Sequence, residues 1–163
     1  MLNPTMRAAV CAALTCGVLG VAAPALAALG GTPTPPPAGA VSSSLAPVIH
    51  AASGAVVTAP YTVTQTTFAA GTIVREYVST AGTVFGIAWN GPIMPNLPVL
   101  LGTYFSQFDS ARVALRAAHP GRGPIAVDLP DLVVHSGGHM GGFSGQAYLP
   151  QSLPAGVSAA DIQ

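Results

Sequence analysis

The stretch "VVTAPYTVTQTTFAAGTIVREYVSTAGTVFGIAWNGP", Val56 to Pro92, decides the fold class. It is rich in Val, Thr, Tyr, Phe and Ile, residues that fit a pleated, half-buried surface. It also carries two related turn signals, Phe68-Ala69-Ala70-Gly71-Thr72 and Ser79-Thr80-Ala81-Gly82-Thr83, whose glycines are eleven residues apart. That spacing predicts a meander of three antiparallel strands, about Ala59 to Phe68, Thr72 to Ser79 and Thr83 to Trp89. Each connection is expected to be a three-residue turn with Gly71 or Gly82 in the left-handed conformation, which only glycine adopts cheaply.

Turn length sets register. Ser79 should face Thr83, Tyr77 face Phe85, Arg75 face Ile87 and Ile73 face Trp89, giving one aromatic face that also takes Tyr61, Val63, Gln65 and Thr67. The opposite face would hold Thr62, Thr64, Thr66, Val74, Glu76, Val78, Val84, Gly86 and Ala88. A two-residue loop would reverse this and set Glu76 among Val78, Phe85 and Trp89, where an unpaired carboxylate costs several kcal/mol or more.

Downstream, Asn96 caps a predicted helix, Pro98 is tolerated in its first turn, and Leu97, Leu100, Leu101, Tyr104, Phe105 and Phe108 recur at helical spacing as a core-facing stripe. The pattern allows one helix over 97–118 or a second one capped by Asp109 or Ser110; His119-Pro120-Gly121 ends it in either case. Apolar runs at Ile125 to Leu129, Leu132 to His135 and Phe143 to Leu149 read as returning strands, with the glycine-rich Ser136 to Gly142 connecting the last two. The expected architecture is therefore α+β: a three-strand antiparallel meander, one or two helices packed on it, then two or three returning strands, in one domain over 56–163.

Upstream, "MLNPTMRAAVCAALTCGVLGVAAPALA" has one charge at Arg7, an apolar run from Ala8 to Ala23, and the small-residue ending Ala25-Leu26-Ala27. This is the pattern of a secretory signal peptide over 1–27, cut before Ala28. Spanning a membrane takes about 20 apolar residues, and Gly17, Gly20 and Pro24 interrupt this run, so no stable anchor is expected after cleavage. Cys11 and Cys16 both lie in the leader, and the mature domain must rely on its core without disulfides. Residues 28–55, dominated by Gly, Pro, Ser and Ala, read as a flexible lead-in.

Beyond the leader, Arg75, Arg112, Arg116 and Arg122 stand against Glu76, Asp109, Asp128, Asp131 and Asp161, a net charge of −1 with His neutral, and the chain has no lysine. That excludes a phosphate-neutralising nucleic-acid surface and a Walker-type loop. His135 and His139 have helical metal spacing, but Ser136, Gly137 and Gly138 between them do not hold a helix, so no metal or cofactor is expected. Ser144 in "GGFSGQ" misses the G-x-S-x-G elbow at Gln146 and sits in an alternating, strand-like run. Arg75 could bind an anion or a ring face, or lie with its stem over Tyr77 and Trp89. Arg75, Tyr77, Trp89, His135 and His139 remain as candidates for a binding surface, with no catalytic residue among them.

The blocks Val74-Arg75-Glu76-Tyr77-Val78, Ala88-Trp89-Asn90-Gly91-Pro92 and Ser136-Gly137-Gly138-His139-Met140, with "ALGG" following the cleavage site, resemble the small exported bacterial proteins grouped as domain-of-unknown-function family 2844. Gly141 departs from the bulkier, often charged residue of that pattern. The resemblance implies export in a Gram-negative bacterium and carries over no reaction and no catalytic residues. The expectation is a periplasmic or secreted, non-catalytic accessory or binding module of the cell envelope, with an envelope protein or small ligand as its unidentified partner. The alternatives are a hydrolase or metal-dependent enzyme using His135, His139 and Ser144, and a structural surface-assembly protein.

Overall fold

The computed structural model describes residues 28–50 and 56–163, so the expected leader lies outside the described residues. The strands are β1 (Val41–Leu45), β2 (Val48–His50), β3 (Val56–Thr58), β4 (Tyr61–Thr67), β5 (Ile73–Ser79) and β6 (Val84–Gly91), followed after the helical segment by β7 (Ile125–Asp128), β8 (Val133–His139) and β9 (Gly142–Tyr148). Seven of them form one antiparallel sheet in the order β1-β4-β5-β6-β9-β8-β7, and β2 pairs with β3 as a separate ribbon. This sheet corrects the expected α+β plan of a three-strand meander with one or two helices packed on it and returning strands after them. The molecule is mostly sheet, because β9 pairs with β6 from Gly86 to Gly91 and joins the returning strands to the meander, while β1 extends the other edge.

Both predicted turns form. Gly71 and Gly82 have φ of 87° and 80°, and each loop is closed by two backbone bonds of 2.9 Å, Phe68 N–H to Thr72 O with Gly71 N–H to Phe68 O, and Ser79 N–H to Thr83 O with Gly82 N–H to Ser79 O. The register beyond Ser79 is nevertheless different. Val78 pairs with Val84 but Tyr77 pairs with Gly86, so Phe85 is an extra residue, a β-bulge on β6. From there each partner is displaced by one: Arg75 faces Ala88, Glu76 faces Ile87 and Val74 faces Trp89. The single aromatic face is thereby split. Tyr61, Val63, Tyr77, Phe85 and Ala88 form one cluster, whereas Val74, Val78, Val84, Ile87 and Trp89 lie in another with the helical segment.

That segment comprises α1 (Leu97–Leu101), a 3-10 turn (Gly102–Tyr104) and α2 (Phe105–Ala118). Asn96 caps α1 by accepting from Val99 N–H at 3.4 Å, and the irregularity falls at Gly102 (φ 53°) rather than at Asp109. Leu100, Leu101 and Phe108 are buried against Val74, Val78, Ile87, Trp89, Val134 and Ala147, as the stripe required. Among the described residues no helix is long and apolar enough to cross a membrane.

The lead-in is partly built into the fold, contrary to expectation. Ala28 and Leu29 are fully buried, Leu29 bridges Val84 in parallel, and Leu29 N–H donates to Leu100 O at 3.0 Å. Further on, the Thr34 N–H donates to Glu76 Oε1 at 3.0 Å. This bond explains how a carboxylate only 2% exposed is accommodated on the helix side of the sheet. Burial still outweighs it and pushes the Glu76 carboxyl above the ordinary range, with the Thr34 contacts pulling the other way. On the opposite face, the segment after β9 crosses back over the Tyr61–Phe85 cluster and seats Ile162, fully buried, over Gly86.

Candidate functional site

The tail ending at Gln163 covers the β4–β5–β6 part of its face of the sheet, and beside it a groove of about 570 Å³ opens towards β8 and β7. Strand alternation and register determine what lines it. Arg75 on β5 faces Ala88 on β6, which faces Gln146 on β9, which faces His135 on β8. One pair further along each strand, Ile73 faces Asn90, Asn90 faces Ser144, and Ser144 faces Gly137. Side chains two apart in a strand share a face, so Arg75, Asn90, Ser144, Gln146 and His135 all rise from this side. The small residues Ala88, Gly137 and Ala126 in these rows keep the floor low.

Arg75 is half-buried and held in place. Its Nε donates to Gln65 Oε1 at 3.0 Å and one terminal nitrogen to Gln163 O at 3.2 Å. Tyr77 is buried next to it: its hydroxyl donates to the same Gln163 oxygen at 2.8 Å and accepts from Gln163 N–H at 2.9 Å. At the far end, His135 Nε2 meets Asp128 Oδ1 at 2.7 Å in an exposed pair. Ser144 is exposed, and among the described residues its hydroxyl has no hydrogen bond to the His135 ring.

The family model described as a protein of unknown function, DUF2844, matches residues 25–162. The chain belongs to this family. No curated protein and no solved structure matches the chain. Within this DUF2844 protein the five candidate residues separate. Arg75 and His135 come together in the groove. Tyr77 supports it from below as the anchor of Gln163.

Trp89 does not share their face: it is 2% exposed beneath Gly145, on the helix side, so an Arg75 stem cannot lie over it. His139 closes the β8–β9 hairpin, where its Nδ1 meets Met140 O at 2.9 Å. The expected Ser136–Gly142 connection is also shorter than read: β8 runs through the glycines to His139, which pairs with Gly142, and only Met140 and Gly141 turn. A Cβ at Gly138 would strike the Gly142 and Phe143 backbone, so this glycine serves close strand approach within the ladder. Four residues of extended strand separate His135 from His139 by about 13 Å, too far for one ion. Among the described residues no three His, Cys, Asp or Glu gather as a metal set.

Gln65, Asn90 and Gln146 were not singled out from sequence as site residues. The alternation Ser144, Gln146, Tyr148 was visible. Their partners on β6 were not, because nothing local in the sequence pairs β9 with β6, and the bulge at Phe85 displaces the β5 residues that complete each row.

Proposed function

We propose that this DUF2844 protein is an exported, non-catalytic binding module of the bacterial envelope, periplasmic or secreted, which holds a small polar ligand in the groove beside its tail. The observation that carries this reading is the groove floor itself: Asn90, Ser144, Gln146 and Arg75, from three neighbouring strands, present amide, hydroxyl and guanidinium groups to one open volume. Rigid strands position such groups well, and a pocket with a few convergent polar groups is the usual form of a small-ligand site. The leader pattern over 1–27 supports export. Titration of the labelled domain with a low-molecular-mass envelope extract tests the reading by NMR: the backbone amides of Asn90, Ser144 and Gln146 should shift together. Shifts confined to other surfaces, or none, would refute it.

A hydrolase is the second reading, favoured by the Asp128–His135 pair standing on the same face as Ser144. Covalent labelling of Ser144 by a fluorophosphonate, abolished in Ser144→Ala, would replace the binding-module proposal.

A further inference from the structure

Resting on the groove as a binding site, we infer that its ligand is a neutral saccharide. Two kinds of group line this face, those the fold has already paired and those it has not. Among the described residues, Arg75 and His135 are the only titratable side chains that line the groove. Arg75 gives its Nε to Gln65 Oε1 and a terminal nitrogen, at 3.2 Å, to the main-chain oxygen of Gln163, which as the last residue of the sequence carries the terminal carboxylate. His135 is paired with Asp128 at 2.7 Å. Each basic group thus faces a carboxylate of the protein itself, and neither is left to select a charged ligand.

The neutral groups are the ones left over. The side chains of Asn90, Ser144 and Gln146 have no hydrogen-bond partner among the described residues, and they rise together from the paired strands β6 and β9. A carboxamide sets a donor beside an acceptor, and a hydroxyl is both at one atom. Vicinal hydroxyls of a sugar present the matching pair, so two amides and a hydroxyl read a hydroxyl-rich edge. The main-chain groups of the floor are spent in the β6–β9 and β8–β9 ladders, and a peptide finds no strand edge here to extend.

The row through Asn90 and Ser144 has an apolar group at each end. Ile73 pairs with Asn90 on one side. On the other, Ser144 pairs with Gly137, and a Cβ built on Gly137 would lie 3.4 Å from Pro124 Cβ and 3.5 Å from its Cγ, so the proline ring stands over that glycine. The row therefore runs apolar, polar, polar, apolar across three strand spacings, about 14 Å. A pyranose has the same division, with hydroxyls around its edge and C–H groups on its faces. Gly137 and Ala88 keep the floor low beneath it, and at about 570 Å³ the groove has the volume of a small-ligand site.

The test is a set of NMR titrations of the intact domain with maltose, cellobiose, lactose, mannobiose and diacetylchitobiose, alongside digalacturonate and the blocked peptide N-acetyl-Ala-Ala-Ala amide. At least one neutral disaccharide should shift the amides of Asn90, Ser144 and Gln146 saturably. Its affinity should hold constant from about 0.01 M to about 1 M salt, a range over which charge-carried contacts are screened. Asn90→Ala and Gln146→Ala should each weaken it about 3- to 10-fold, and Ser110→Ala, on the exposed side of α2, should leave it unchanged. Thermal melts of the variants separate lost affinity from lost fold. Tighter binding of digalacturonate or of the peptide would overturn the saccharide assignment, as would Asn90 and Gln146 variants that bind like the parent. No groove shift with any neutral sugar would also overturn it, while the extract titration judges the binding-module reading separately: groove shifts with extract alone would leave the site to another class of ligand.

Discussion

The seat of Ile162 on Gly86 offers a sharp test of how the tail is attached. A Cβ built on Gly86 would lie 2.7 Å from Ile162 Cδ1 and 3.3 Å from its Cγ1. The Gly86→Ala methyl therefore collides mainly with one terminal carbon, and overpacking of this kind costs about 1–3 kcal/mol. Ile162→Val deletes that same carbon from a fully buried side chain and should cost about 0.5–1.5 kcal/mol. In the double variant the new methyl occupies the space vacated by Cδ1. The two losses should then cancel in large part, leaving a coupling energy of about 1–2 kcal/mol in favour of the pair, within the range for residues in contact. Urea unfolding of the four proteins, followed by fluorescence of the lone tryptophan, Trp89, measures the cycle. Additivity within about 0.5 kcal/mol would mean that Ile162 does not sit on Gly86, and the tail would lose its role as one wall of the groove.

Glu76→Gln should stabilise the protein increasingly as pH rises. The folded-state pKa of Glu76 is raised, so its contribution is complete below the ordinary carboxylate range and is lost as pH climbs through the raised value; a stability difference between variant and parent that does not grow from pH 4 to pH 8 contradicts this. Gly145→Ala should cost about 1–3 kcal/mol or more, since its methyl would fall against the Trp89 indole and 2.5 Å from the His135 backbone oxygen; a neutral melt would mean that Trp89 is not packed there. Purified protein should hold no stoichiometric zinc or copper, and metal lost together from His135→Gln and His139→Gln would show otherwise. Sequencing of the mature protein from periplasm or medium should find Ala28 first, against an uncleaved, membrane-retained chain. Its new ammonium must then reach water while Leu29 stays seated, because burying it unpaired costs several kcal/mol.

The parts of the fold that were legible are those with a local cause. Gly71 and Gly82 had to terminate three-residue turns, Asn96 and Pro98 had to start a helix, and His119-Pro120 had to stop it. The bulge at Phe85 has no such signature: it inserts no glycine and leaves the alternation of apolar residues plausible in either register. Burying Glu76 is prohibitive only while no donor reaches it, and its donor is the backbone of Thr34, in a Pro-rich segment that reads as linker. Leu29 was lost for the same reason, since its partners Val84 and Leu100 are remote in sequence. The groove was half legible, through Arg75 and His135, because its composition depends on which residues of β6 and β9 face each other.

Strand β6 has a further consequence for how the molecule comes into being. Its first residue, Val84, bonds with the Leu29–Gly31 segment, and its third, Gly86, carries Ile162 on the other side. The two ends of the domain thus meet through one strand in its middle, and neither face of the sheet is closed until both have arrived. Contacts this distant in sequence form late and slowly. A chain threaded through a translocation pore from its N-terminal end would remain without a finished core until nearly all of it had passed, the loose state that such a pore admits.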